Sequence, residues 1–467
     1  MRWLGPAALV LFVPALGAQE STVPVVLKLH PAATPSPAMK HYLLPQAREL
    51  QPGNAAVFYQ RAHSPEWFRS LDRIPLFSKM HEWVGAVPIG QLPEKDVRQL
   101  LQLTGVFKEL DVAARCESCD WQMHIRLKDE GVGLVLPDMH GFRQMSQMLA
   151  IKARMELQDG QPEQALRTLQ TGFAFGRHVG DCPIVINALV GMAMSQTMLG
   201  VVEDFVQRPG APNLYWALRD LPEPFIDLRR PLQGDRLAVD AWWPDIRKAL
   251  GEPKFKPLPL HTLRTSLDKA VAFTRYEQRV SAATMVALIH PRAMSHFRAL
   301  GHSQEELDGL PVTQVVLMYS LSQWDHWYDA VYRWHNVPYW QARAGLKKAA
   351  QEREEMLRHH RDNSFLLEHL LPASEPIFFQ KARLQRRIAG LQCVEAIRAY
   401  AAANQGTLPA TLADIRGVPV PHDPVTGKSF EYTVESATAR LRGPAPPGEV
   451  HSERSVLLYE LSIAKRD

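Results

Sequence analysis

Cysteine, net charge and long apolar runs are all scarce in this sequence. Four cysteines in 467 residues are too few for a scaffold held together by disulfides. With 53 Lys and Arg against 49 Asp and Glu, the net charge of +4 is spread over a long chain. That field is too weak to indicate a nucleic-acid or anionic-membrane partner, and no nucleic acid is expected. After the first eighteen residues no stretch reaches about 18 uninterrupted apolar residues, so no transmembrane segment is expected in the mature chain. Local catalytic signatures are missing as well. G-x-S-x-G and H-E-x-x-H do not occur, nor does S-x-x-K with suitable partners. Neither phosphate loop, G-x-x-x-x-G-K-[ST] or G-x-G-x-x-G, is present. No cofactor is expected.

What remains is ordinary globular composition, with 46% hydrophobic and 22% charged residues, enough apolar material for a sizeable core. At about 100–200 residues per domain the chain has room for several parts. Met1 and Arg2 open a short positive start, Trp3 to Leu16 form an apolar run, and Ala15, Gly17 and Ala18 supply small residues. This is the grammar of a signal peptide, with cleavage after Ala18 or after Gly17. The run is shorter than the roughly 20 residues a spanning helix needs. Residues 1–18 are therefore expected to direct export, leaving a periplasmic or extracellular protein.

Residues 19–45 read as a Pro-rich leading segment: Val25, Val26 and Leu27 can form a short strand before Pro31, Pro35 and Pro37 interrupt it. Asn54 caps a helix that begins at Ala55, and helical periodicity then dominates residues 46–376. Its clearest stretch is Met145 to Val179. Leu149, Ala153, Leu157, Ala165, Leu166, Leu169, Gly172 and Phe173 follow i, i+3, i+4 steps, and Asp159-Gly160-Gln161-Pro162 makes a turn between two helices. The small residues of this α-hairpin resemble those of one tetratricopeptide unit, and the apolar stretch Ile184 to Val206 would stack next, as in a helical repeat. Nine prolines between 207 and 262 read as a connecting or capping region.

Residues 377–467 change texture. Leu384, Ile388, Leu391, Val394 and Ile397 form a helical stripe that stops at Asn404-Gln405-Gly406, followed by an Asp423-Pro424-Val425-Thr426-Gly427 turn. Phe430, Tyr432 and Val434, then Ala439 and Leu441, then Leu457, Tyr459, Leu461 and Ile463 alternate as strands do. The expected fold is thus mainly α: a helical hairpin or repeat-like body, then a small α+β module with a long helix and a short antiparallel sheet.

Ala399-Tyr400, Asn404-Gln405-Gly406-Thr407-Leu408-Pro409, Leu412, Ile415, Asp423-Pro424, Gly427, Phe430 and Tyr432 give this module its likeness. It resembles the globular part of type II secretion pseudopilins of the major, G-type class. No apolar prepilin stalk precedes the helix, so pilus assembly is not implied. The chain as a whole resembles a group of large exported proteins from planctomycete-type bacteria. Leu44-Pro45, Gln51-Pro52-Gly53-Asn54-Ala55-Ala56, Ala114-Arg115-Cys116-Glu117-Ser118-Cys119-Asp120-Trp121, Ala211 to Leu218 and Asp423 to Lys428 carry that likeness. It implies export and architecture, and no reaction.

Three constellations could carry chemistry. Cys116 and Cys119 have C-x-x-C spacing, which suits a local disulfide, half of a metal site or a redox motif. Asp120 follows where haem attachment needs His, and no second ligand pair stands at zinc spacing, so no metal is expected. Trp324, Asp325, His326, Trp327 and Asp329, with Trp334 beyond, place two carboxylates on one helical face beside indoles that could stack on sugar rings. The competing reading fills the core with the rings and leaves the acids in an i, i+4 ladder. His290, His296 and His302 recur at a spacing that puts no two on one helical face. Arg383, Arg386 and Arg387 read as a solvated helix face. The balance favours a non-enzymatic interaction or scaffold protein with an envelope or secreted partner. The alternative is a carbohydrate-binding protein or polysaccharide hydrolase working at 324–340.

Overall fold

A computed structural model describes residues 23–64, 80–85, 87–102, 104–134, 139–274, 282–359, 374–449, 452 and 454–464. The expected signal peptide, residues 1–18, and the expected helix breaks at Asn363 and Pro372 lie outside the described residues. The fold is mainly helical with a small sheet near the C-terminus. The chain divides into two compact units, each built from separate stretches. A sheet-bearing unit takes Gln19–Met123, Val135–Leu232 and Phe379–Asp467, and a second unit takes His124–Leu134 and Gln233–Phe378. Among the described residues the second unit is all-helical.

In the sheet-bearing unit the strands, in chain order, are β1 (Val25–Leu29), β2 (Gln51–Asn54), β3 (Cys116–Ser118), β4 (Glu431–Glu435), β5 (Thr438–Gly443) and β6 (Leu457–Ile463). The larger sheet has the order β1-β6-β5-β4. Its last three strands form the expected antiparallel meander, whereas β1 adds a parallel edge in which Val25 pairs with Tyr459 and Leu29 with Ile463. A parallel pair needs a crossover connection, and here nearly the whole chain supplies it. The other two strands, β2 and β3, pair parallel to each other. Asn54 caps the helix Ala55–Ala62 as expected, accepting from the Ala56 amide at 3.1 Å.

The hairpin is the helices Met139–Gln158 and Pro162–Gly180, turning at Gly160, which sits at φ +70°. The small residues of the second helix serve its crossing with the apolar helix Val185–Phe205. A Cβ on Gly172 would meet Met198, and one on Gly191 would lie 2.4 Å from the Gly176 carbonyl oxygen and 2.7 Å from the Gly180 Cα. Backbone touches backbone here, so glycine is required for steric reasons. The apolar helix is long and apolar enough to cross a membrane, but two thirds of that stretch is buried inside the unit.

The long helix Ser374–Ala403 lies against the sheet closely enough that a Cβ on Gly390 would meet Leu457 at 2.5 Å. Its arginines do not form a solvated face. Arg386 is buried and grips Asp423 with two hydrogen bonds, Nε to Oδ1 at 2.8 Å and Nη2 to Oδ2 at 2.7 Å. Asp423 in turn shapes the expected turn by accepting from the Val425 amide and the Thr426 hydroxyl. Arg387 holds Glu203 of the apolar helix at 2.8 and 2.7 Å, and Tyr459 donates to that carboxylate at 2.6 Å. Arg398 and Glu395, both with fully buried side chains, pair at 2.8 Å. Arg398 also donates to the carbonyls of His30 and Ala211, while Glu395 accepts from the Leu214 amide. Partners this far along the chain leave no mark in local periodicity.

The all-helical unit centres on the helix Val312–Tyr332, which packs against Pro244–Leu250, Leu260–Thr274, Ala282–Ala299 and Tyr339–His359. The proline-rich run before Leu260 is held by side chains from elsewhere in the unit. Buried Gln314 donates to the Lys256 carbonyl and accepts from the Leu258 amide, both at 2.8 Å, and Glu306 accepts from the Phe255 amide at 2.6 Å. Proline removes backbone donors and blocks regular pairing, so side chains complete the hydrogen bonding instead.

Candidate functional site

The aromatic and acidic segment falls on the last turns of the helix Val312–Tyr332. Trp324 and Trp327 are 3% and 7% exposed, so both rings are core residues and offer no stacking platform. Helical spacing sets Trp324, Tyr328 and Tyr332 in a continuous stack, with centroids 5.1 Å apart at each step. The Arg236 guanidinium sits 5.1 Å from the centroid of Tyr328, a cation–π contact that a second helix makes to the middle ring of the stack. Burial, followed by the neighbouring Tyr332, pushes the Tyr328 phenol up, so it stays protonated. Trp334 lies beyond the helix and packs over Gly345, where any Cβ would collide with its ring.

The two aspartates part company. Asp325 is gripped in bidentate fashion by Arg247, through Nη2 to Oδ1 at 2.9 Å and through Nη1 to Oδ2. Arg247 also holds Asp240 at 2.6 Å, and Arg236 approaches Asp325 at 3.8 Å. Burial lowers the Arg247 pKa, but its hydrogen bonds and charge contacts with Asp325 and Asp240 outweigh that and leave it raised. Asp329 and His326 are exposed. The carboxylate pair expected for acid–base work is therefore not assembled, because one member already serves as a helix-to-helix clamp. His296 bonds Ser322 at 3.0 Å, and His302 stacks on Phe255 with centroids 4.0 Å apart.

A second group of reactive types gathers in the sheet-bearing unit, and the sequence pointed to only two of its members. Cys116 and Cys119 straddle β3 as thiols, without the expected local disulfide. Three steps of extended chain span about 10 Å between Cα atoms, beyond the roughly 7 Å a disulfide allows. C-x-x-C bridges form readily on turns and helix ends, so the spacing misleads when it falls on a strand. Cys116 Sγ instead donates to the Val112 carbonyl at 3.5 Å and abuts Gly53.

The loop after β3 is fastened at both sides. Asn54 accepts from the Asp120 amide and donates to its carbonyl, each at 2.8 Å, and the Trp121 indole donates to the His178 carbonyl at 2.9 Å. Buried Tyr59 shares a 2.9 Å hydrogen bond with His178 Nδ1 and stacks on Phe175 at 4.3 Å. Burial, then the Arg177 charge, lowers the His178 pKa to about 4, while burial above all raises Tyr59 and Cys119. Each group is thus held in its neutral form, which makes Cys119 a slow nucleophile at neutral pH. Among the described residues, no three His, Cys, Asp or Glu side chains converge as a metal site requires.

Comparison with known proteins returned no match: no family model, curated protein or solved structure aligns significantly with the chain.

Proposed function

We propose that this is an exported, non-enzymatic interaction or scaffold protein of the cell envelope, periplasmic or extracellular once residues 1–18 are removed, with a protein of the envelope or a secreted protein as its partner. One observation carries the reading. The side chains best equipped for chemistry are committed to holding elements together: Asp325 to Arg247, Glu203 to Arg387 and Asp423 to Arg386, while Glu395 and Arg398, paired on one helix, hold the Leu214 amide and the His30 carbonyl. A body stiffened from within is suited to presenting a surface of fixed shape. In the same reading, the hairpin Met139–Gln158 and Pro162–Gly180 is one tetratricopeptide-like unit on which Val185–Phe205 stacks, supported by the glycine-lined crossing at Gly172, Gly176 and Gly191. The long helix, Asp423 turn and meander β4-β5-β6 form a pseudopilin-like module, supported by the Arg386–Asp423 grip that ties helix to turn.

Expression of the full sequence with a C-terminal tag, followed by cell fractionation and N-terminal sequencing, tests the export half. A mature start at Gln19 or Ala18 in the periplasm or medium is expected, and cytosolic protein with Met1 retained would overturn it. For the interaction half, immobilised mature protein should retain a saturable envelope or secreted partner at micromolar concentration. Failure to retain one from either extract counts against a scaffold.

A further inference from the structure

We infer that Cys119 and Cys182 form an oxidisable thiol pair, closed by disulfide exchange, and that this pair, rather than the C-x-x-C spacing, is the chain's redox site. The geometry comes from three anchors. Asn54 pins Asp120, the residue after Cys119, through two hydrogen bonds. Trp121, one residue further, reaches the His178 carbonyl on the last turn of the helix Pro162–Gly180. Cys182 lies two residues past that helix, its amide bonded to the Val179 carbonyl, so the anchored loop is fastened beside the turn that carries Cys182. Cys116 is engaged elsewhere, its Sγ bonded to the Val112 carbonyl and abutting Gly53, with three steps of extended chain between it and Cys119.

The electrostatic surroundings agree. After burial, the Cys182 sulfur is the strongest influence raising the Cys119 thiol, ahead of Asp181, Cys116 and Asp120. Cys119 is half-buried whereas Cys182 is buried, which sets the order of events. With a low-molecular-weight disulfide such as glutathione disulfide, the Cys119 thiolate attacks one sulfur and expels a glutathione thiolate. Cys182 then attacks Cys119 Sγ and expels the second. Two protein thiols are oxidised, one glutathione disulfide is reduced to two glutathiones, and the two thiol protons end on those products. Because burial keeps Cys119 protonated, exchange is slow at neutral pH and accelerates as pH rises.

The test treats the purified full chain with glutathione disulfide, blocks remaining thiols with N-ethylmaleimide and maps non-reduced peptides by mass spectrometry. Cleavage at Arg and at Glu117 separates Cys116 from Cys119. A cross-linked peptide joining Cys119 to Cys182, two hydrogens lighter than its parts, is expected, together with a thermal midpoint several degrees higher than that of the reduced chain. C116S should still form the bridge. C182S should stop at a Cys119–glutathione mixed disulfide. A Cys116–Cys119 bridge overturns the proposal, as does a wild-type chain that stops at the mixed disulfide or leaves all four thiols alkylated. Because C116S tests the same bridge, the proposal stays falsifiable even if C182S does not fold.

Discussion

The sheet-bearing unit places arginine–carboxylate pairs in its interior, whereas the all-helical unit keeps its Arg247 cluster with Asp240 and Asp325 half-exposed. Arg398 and Glu395 have no exposed side-chain surface, but Asp325 retains 26%. Elements that share no sequence neighbourhood are tied by arginines of the long helix: Arg386 reaches Asp423, Arg387 reaches Glu203, and Arg398, paired with Glu395 on its own helix, donates to the His30 carbonyl just after β1. Adjacent antiparallel helices need no such device, because ridges and aromatic stacks already fix how they pack. A buried pair need not add net stability, but removing one partner is costly.

That contrast can be broken by experiment. The largest effect is expected from Arg398→Ala, which strands the Glu395 charge in the interior and leaves the His30 and Ala211 carbonyls short of a donor. Urea denaturation should show a loss of about 3–5 kcal/mol. Replacing both partners with apolar residues should recover part of that loss. If Arg398→Ala costs no more than a surface substitution, the distinction between the units fails.

His178 comes next. Its folded pKa of about 4 lies below the 6.5 of the free side chain, so between those values the unfolded chain takes up a proton that the folded chain refuses. This contribution is complete above pH 6.5 and is lost as pH falls toward 4, amounting to at most about 3 kcal/mol. Asp204 works in the opposite sense. Burial raises it to about 6 from 3.8, so its contribution is present below 3.8 and lost as pH rises through 6. Because the two offset each other, the readout is the difference between wild type and His178→Gln across pH 4–7, which should narrow as pH falls. Parallel pH curves would remove His178 from the account.

Gly191→Ala is expected to cost about 1–3 kcal/mol, since its methyl group meets backbone of the neighbouring helix and the crossing must open. A drop in the thermal midpoint without loss of helical circular dichroism would report it. The smallest effect belongs to Asp325→Asn in the all-helical unit, about 0.5–1 kcal/mol and diminishing in high salt, because its partners remain solvated. A larger, salt-independent loss would show that this cluster behaves like the buried pairs of the other unit.

Much of the architecture was legible where cause and effect are close in sequence. The Asn54 cap, the turn at Gly160, the stop at Asn404-Gln405-Gly406 and the alternation of β4 to β6 all follow from a few adjacent residues. Tertiary partners were not legible. Arg386 and Arg387 looked solvent-facing because Asp423 and Glu203 are remote in sequence, and the parallel pairing of β1 had no local turn to announce it. At the aromatic segment the sequence held both outcomes, and Arg247 and Arg236, unremarkable by themselves, decided between them. The thiol cluster was half-visible: C-x-x-C drew attention, while Tyr59, His178 and Cys182 carry no spacing that links them to it.

The pairing of Val25 with Tyr459 has a consequence for how the molecule is made. β1 cannot find its neighbour until the far-downstream β6 exists, so a ribosome or a translocation pore releases β1 long before β6. In the interval Leu27 and Leu29, which the folded unit buries, remain uncovered, and the meander that would receive them is not yet built. Completion of the larger sheet is therefore a late event, sensitive to any truncation that removes β6.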